Sequence, residues 1–453
     1  MIRFLHFKRN RFSICTIKSE ITTKIISDTR KLIIITLVLS LHLGVAKALP
    51  SYARQTGMSC SSCHYSFPEL TDFGRQFKIN GYILTMMKTI ESKDSISELT
   101  RLNLLSYLPL SVMVQTSFTH IAKNSEGTQN NSVAFPQQLS VFYSGEVTPH
   151  IGTFIQMTYD GQRFGMDNAD IRYTNQSSLG SKSIVYGLTL NNNPAVQDVW
   201  NTSPAWRFPS ATSAAAKNPA KSAIIEKLGL QVAGLGAYTL YNNLFFAELT
   251  LYRSAQQGAA NPADSNSAMA IKGVAPYWRL ALQHQWSDNY VALGTFGIAS
   301  NHFSKGISGE MDKFIDVGVD FQYERNLSFG SFTMHTSLIN ETENRDISNT
   351  QHTSYNFNSF KIDGNLYLKN GIGATMGYFT KSGSMDPNVG SLTNKPNSNG
   401  FIFQIEYLPW FNTKFTLQYV MYNKFDGSTK DYDGMGRNSP NNNTLYLLAW
   451  INF

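Results

Sequence analysis

Cysteine is almost missing from this 453-residue chain, which has three: Cys15, Cys60 and Cys63. That number excludes a disulfide framework and a four-thiol zinc site. Charged residues are sparse at 15%, and only one long apolar run exists. It spans Leu32 to Ala46, short of the ~20 residues a membrane-spanning helix needs. Arg30 and Lys31 precede it, and Ala46-Lys47-Ala48 closes it, so it reads as a signal peptide cut after Ala48. The stretch Met1 to Thr29 before it is long for a leader and has no physical reading.

Net charge is a further absence. The chain carries 38 Lys+Arg against 31 Asp+Glu, formally +7. Residues 1–48 hold nine of those bases and two of the acids, which leaves 29 of each from Leu49 onward. The basic character belongs to the leader, and nothing in the rest calls for nucleic acid as a partner.

Against this background the sequence Cys60-Ser61-Ser62-Cys63-His64 stands out. It has the spacing of a c-type haem attachment site. Two thiols three positions apart can each form a thioether to a porphyrin vinyl group, and His64 then falls under the iron as an axial ligand. A redox dithiol and half of a zinc site use the same Cys pair. The dithiol does not require the adjacent His, and zinc needs about four ligands, for which no second Cys pair exists. The reading implies one covalently bound haem c and an exported compartment.

Other candidate residues follow. A second iron ligand in an electron-transfer haem is a Met or His. Met86 or Met87 has enough intervening chain to reach back, whereas Met58 is too close to the motif. His120, His150, His284, His302, His335 and His352 compete, and sequence does not rank them. Arg54 and Arg75 flank the motif and are suited to haem propionates or, equally, to acidic groups of a surrounding wall.

From about Tyr107 the chain alternates apolar and polar residues in short segments separated by Asn, Gly, Ser and Asp. Ile151, Thr153, Ile155, Met157 and Tyr159 share one face. Phe401, Phe403, Ile405 and Tyr407 share another, as do Phe411, Thr413, Phe415, Leu417, Tyr419 and Met421, with Leu408-Pro409-Trp410 read as a turn between them. Period two with one apolar face marks strands between two different solvents. Candidate strands lie near 106–120, 139–147, 150–159, 167–175, 183–191, 228–241, 244–252, 277–286, 289–300, 313–324, 327–339, 354–368, 370–381, 398–407, 411–423 and 443–453. The fold class is therefore all-β: a transmembrane antiparallel barrel of roughly 16 strands, with a short haem segment in or at its lumen. The expected organisation is a leader over 1–48, a monohaem segment over 49–98 and a barrel over 99–453 that ends on Phe453. The stretch 191–226 is too long for a turn and is expected to fold over or into the lumen. Asp316, Asp320 and Glu324 share one strand face and should point inward. They suit Fe(II) as hard oxygen ligands, but an acidic lumen is ordinary for a porin, and that reading is preferred.

The stretch Ala53-Arg54-Gln55-Thr56-Gly57-Met58-Ser59-Cys60, continuing through Pro68-Glu69-Leu70-Thr71-Asp72-Phe73-Gly74-Arg75-Gln76-Phe77-Lys78-Ile79-Asn80-Gly81-Tyr82, resembles the opening of the fused monohaem cytochrome–porins. The later run Asn191-Asn192-Asn193-Pro194-Ala195-Val196-Gln197-Asp198-Val199-Trp200, with Pro204-Ala205-Trp206, is similar too. That family includes outer-membrane iron(II) oxidases. The resemblance implies a protein of the Gram-negative outer membrane, surrounded by lipid, with Cys60 and Cys63 as thioethers and His64 on the iron. It also implies an extracellular electron donor, Fe(II) foremost, and a soluble periplasmic c-type cytochrome as acceptor. A haem-plugged diffusion porin, and a haem enzyme acting on peroxide or a small gas, are the competing readings.

Overall fold

The computed structural model describes residues 50–84, 90–92, 102–104, 108–124, 127–255, 270–303, 309–348 and 351–453. The leader, its cleavage site, Met86 and Met87 lie outside the described residues. Alternation of lumen-facing and outward side chains builds sixteen strands. In chain order they are β1 (Leu110–Ile121), β2 (Ser132–Thr148), β3 (Ile151–Tyr159), β4 (Phe164–Leu179), β5 (Lys182–Asn191), β6 (Val232–Tyr241), β7 (Phe245–Ser254), β8 (Ala275–Trp286), β9 (Asn289–Phe303), β10 (Met311–Leu327), β11 (Gly330–Ser348), β12 (Gln351–Leu368), β13 (Ile372–Gly383), β14 (Ser398–Trp410), β15 (Thr413–Lys424) and β16 (Thr444–Asn452).

Each strand pairs antiparallel with its sequence neighbours, and β16 pairs with β1, so the sheet closes on itself. Closure leaves no edge, which is what permits a sheet to cross hydrocarbon. The outward face is apolar, as at Leu249, Leu251, Leu293, Val317, Val319, Phe403 and Ile405, while the inward face buries Arg172, Arg279, Asp316, Gln322 and Glu341. This is the construction of a bacterial outer-membrane barrel. No helix among the described residues is long and apolar enough to cross a membrane.

One sequence expectation needs correction. Leu408-Pro409-Trp410 is not a turn. Strand β14 runs through Trp410 with a register shift between Tyr407 and Trp410, and the reversal falls at 411–412. Pro409 is tolerated because the ladder is already interrupted there.

The two ends of the barrel differ. At one end the connections are two- or three-residue turns (149–150, 180–181, 242–244, 287–288, 328–329, 369–371 and 411–412), and both β1 and β16 begin or end the barrel there. The other end carries the longer connections, including 192–231 and 425–443. Short turns face the periplasm and long loops the exterior in barrels of this kind.

Candidate functional site

The motif-bearing segment lies inside the barrel. Three short helices organise it: α1 (Ser51–Thr56), α2 (Cys60–Cys63) and α3 (Asp72–Ile79). Thr71 caps α3, its hydroxyl accepting from the Gly74 N–H. Gly74 has no room for a Cβ because the Cys63 carbonyl presses on it, and the same close approach occurs between Gly152 of the wall and the Gly81 carbonyl. Both contacts need glycine to bring backbone against backbone.

Anchors reach the segment from around the wall. The Arg75 guanidinium donates to both oxygens of Glu324, at 3.1 Å through Nη2, and the Tyr65 hydroxyl donates to the same carboxylate at 3.1 Å. Tyr82 donates to Asp170 at 2.6 Å, and Arg172 donates to Asp170 and to the Lys78 carbonyl. Tyr367 donates to Glu69 at 2.7 Å, and Lys414 to the Phe67 carbonyl at 2.6 Å. Tyr52 donates to the Thr153 carbonyl, and Gln76 to Asn243 in a short turn. Glu324, Tyr367, Lys414, Thr153 and Asn243 sit near the short-turn ends of their strands and Asp170 and Arg172 in the middle of theirs, so the segment occupies the periplasmic part of the lumen.

Within it, Cys60 and Cys63 lie on one helical turn and are not joined to each other as a disulfide. Burial raises both thiols, Cys63 to about 11. That is the reverse of the lowered thiol a redox dithiol uses. Burial pushes the His64 imidazole down to about 4, which keeps it in the neutral form that binds metals. Its Nδ1 is buried without a hydrogen-bond partner. Met58, Ser59 and Ser61 beside the motif are exposed.

Arg54 donates to the Leu108 carbonyl at 3.1 Å and to that of Leu110. Arg75 adopts the wall-acid arrangement that the sequence allowed. Among the histidines, His335 faces inward, holds Asp363 at 2.9 Å and lies 3.7 Å from Glu69. His302 is also buried, near Ser300. His120 bonds Asn131, His150 bonds the Thr174 carbonyl and His284 stacks on Trp286; the His352 side chain lies outside the described residues.

The three carboxylates on β10 point inward as expected, but each is committed to filling the lumen. Glu324 holds Arg75. Asp320 holds Arg279 at 2.6 Å and Thr202, and Asp316 accepts from the Ile225 N–H at 2.9 Å. No group of three or more metal-binding side chains occurs among the described residues. The long connection after β5 does fold into the lumen. Val196, Val199 and Trp200 are buried in it, and Trp200 donates to Tyr290 at 2.9 Å. Its outer part is latched by Lys221, which meets Glu343, Glu341 and Asp386. The two fillings touch where Lys78 donates to the Asp198 carbonyl at 3.0 Å and where Leu70 N–H donates to Asn201. Sequence reading missed Lys78, Glu69, Lys414 and the Asp170–Arg172 pair; the i, i+2 spacing of the last two on one strand face was the available signal.

No protein-family model matches the chain, and no curated protein matches it. Solved structures with a similar barrel include the outer-membrane channel DcaP of Acinetobacter baumannii, 12% identical over 76% of this chain and 96% of that one, TM-score 0.45. An anion-selective porin from Comamonas acidovorans is 11% identical over 76% and 98%, TM-score 0.46. Salmonella typhi OmpF, in a complex with daunomycin, is 11% identical over 76% and 97%, TM-score 0.46. Likeness at this level concerns the fold alone, and the closed sixteen-strand sheet with its apolar outer face is what marks this chain as a porin-like barrel of the Gram-negative outer membrane.

Proposed function

We propose that this barrel is an outer-membrane electron conduit: it accepts electrons from an extracellular donor, Fe(II) foremost, and passes them through one haem c to a soluble periplasmic c-type cytochrome. The observation that carries the reading is the position of Cys60-Ser61-Ser62-Cys63-His64 on a segment enclosed by the barrel. A haem there would supply a one-electron carrier within the ~30 Å hydrocarbon barrier. The donor set fits that group: two thiols on one turn for the thioethers, and a neutral imidazole in the following position. The rest of the segment fixes its place, since Arg75, Tyr65 and Tyr82 tie it to buried carboxylates. Met86 or Met87 stays a candidate for the second axial position.

A second reading, a diffusion porin with a haem plug, is favoured by the porin-like fold itself. The two lumen fillings speak against free diffusion of solutes. Stopped-flow mixing of the purified oxidised protein with Fe(II) decides between them. Direct reduction of the haem bands, with liposomes impermeable to small sugars, supports the conduit. Haem that stays oxidised where transfer to it is downhill, together with solute flux, supports the porin.

A further inference from the structure

The segment lies towards the periplasmic end, so one haem there leaves the outer part of the barrier uncrossed. From the motif outward, the described aromatic rings form a sequence of contacts. His64 lies 5.1 Å from Phe67, centroid to centroid. Phe67 lines a small cavity whose wall also includes Phe208, from the connection folded into the lumen. The Phe208 ring rests on the wall at Gly377, where an added Cβ would stand 3.0 Å from it, and it packs against the cluster that contains Phe379. Phe379 meets Tyr422 at 5.7 Å, Tyr422 meets Phe425 at 5.0 Å, and Phe425 meets Tyr432 at 4.8 Å. These are ordinary contact separations for aromatic pairs. Tyr432 belongs to the exterior connection 425–443, three residues from the exposed Met435. The cavity between Phe67 and Phe208 interrupts the series, and the step from Phe208 to Phe379 is packing against the cluster rather than a ring pair.

We infer that Phe67, Phe208, Phe379, Tyr422, Phe425 and Tyr432 form the route of electronic coupling between an extracellular one-electron donor, at the 425–443 connection, and the haem. The inference rests on the conduit reading and adds its path. Coupling between donor and acceptor falls steeply with every empty gap, and packed π-systems bridge distance better than open lumen. One electron leaves the donor, which becomes Fe(III) when it is Fe(II), and one ferric haem gains it. No proton moves and no side chain changes oxidation state, because the rings act only as a bridge. The bland alternative is that the rings merely pack the outer wall and stiffen the exterior connection.

The test uses the haem-loaded mature protein carrying Met435→Cys, labelled with a ruthenium polypyridyl photosensitiser. Cys60 and Cys63 are consumed by the haem, so the label has one thiol. A flash injects an electron at the outer end, and its arrival is read as haem reduction. The pair Tyr422→Leu with Phe425→Leu should slow arrival by about tenfold or more, while the equilibrium haem spectrum and the heat-dependent gel shift of the barrel stay unchanged. Phe425→Tyr should restore the rate. Phe208→Leu, one ring removed from the folded connection, gives a second measure should the paired variant fail to assemble. Equal rates in parent and Leu variants overturn the route and leave the conduit standing. No flash-induced reduction in the parent, with haem that dithionite reduces normally, overturns the conduit itself.

Discussion

The lumen is filled twice, by two pieces of chain held in different ways. The inner filling, residues 50–84, is gripped through side chains spaced around the wall, with Arg75, Glu324, Asp170 and Arg172 all buried. The outer filling, between β5 and β6, is buried deeply at Trp200 and is held by dispersed hydrogen bonds, such as Ala220 N–H to Asp426 and Thr119 with Ser213, together with a charged hub, Lys221 among Glu341, Glu343 and Asp386, with Arg345 also on Asp386. The inner filling is tied to wall carboxylates singly at several places, whereas the outer one also gathers three carboxylates on one amine.

The largest expected effect separates the cargo from the scaffold. Replacing both Cys60 and Cys63 by Ala should abolish covalent haem, read as loss of the haem-staining band in denaturing gels, while the barrel still shows its heat-dependent shift. A surviving haem band would remove the attachment site. Next comes Glu324→Ala, which leaves the buried Arg75 cation only the half-exposed Asp72, at 3.6 Å, the Leu70 carbonyl and the Tyr290 ring, at a cost of about 3 kcal/mol, the low end for a broken buried pair. Limited proteolysis should then cut within 50–84, as it does not in the parent, and an unchanged digest would show that the remaining anchors suffice. Lys221→Met should cost less, about 1–3 kcal/mol, because Arg345 remains on two of the three carboxylates. It should raise single-channel conductance in planar bilayers without altering the haem band. Loss of haem in that variant would mean that the two fillings are not independent.

The smallest effect is a pH dependence at their contact. Burial pushes the Lys78 amine down to about 7, far below the ordinary ~10.4. Between those values the released segment binds a proton that the docked segment does not. Docking therefore strengthens as pH rises from about 7 towards 10, and weakens as pH falls through 7, where a buried charge must be carried. Hydrogen exchange of α3, measured at pH 6 and pH 9, should show greater protection at the higher value. Lys78→Met should flatten the difference, and a slope that persists in this variant assigns it to another group.

Much of the barrel was legible in the sequence because period two is a local signal. All sixteen candidate strands correspond to observed ones, and Phe403, Ile405, Phe415 and Leu417 face outward as read. Strand β11 runs past the expected end at 339 to Ser348 because its outer part carries Asn340 and Asn344 on the outward face, so hydrophobicity fades before the ladder does. The inward fold of the connection after β5 was legible from its length, and its partners were not. Arg75 and Glu324 are 249 positions apart, and nothing in either neighbourhood names the other. The same limit explains why Asp316, Asp320 and Glu324 could be placed on the lumen face without their duties being known. The aromatic series is a tertiary feature of this kind too, assembled from five separate stretches of chain.

The seam between β16 and β1 has a consequence for the order of events in biogenesis. Val112 and Phe453 exchange backbone hydrogen bonds there, at 2.6 and 2.8 Å. On the inner side, Trp450 stacks on Phe67 at 6.3 Å. The last strand to be synthesised thus closes over a segment that left the ribosome before any strand did. On the conduit proposal, attachment at Cys60 and Cys63 before the seam zips would let the barrel fold around a segment that already carries its cargo.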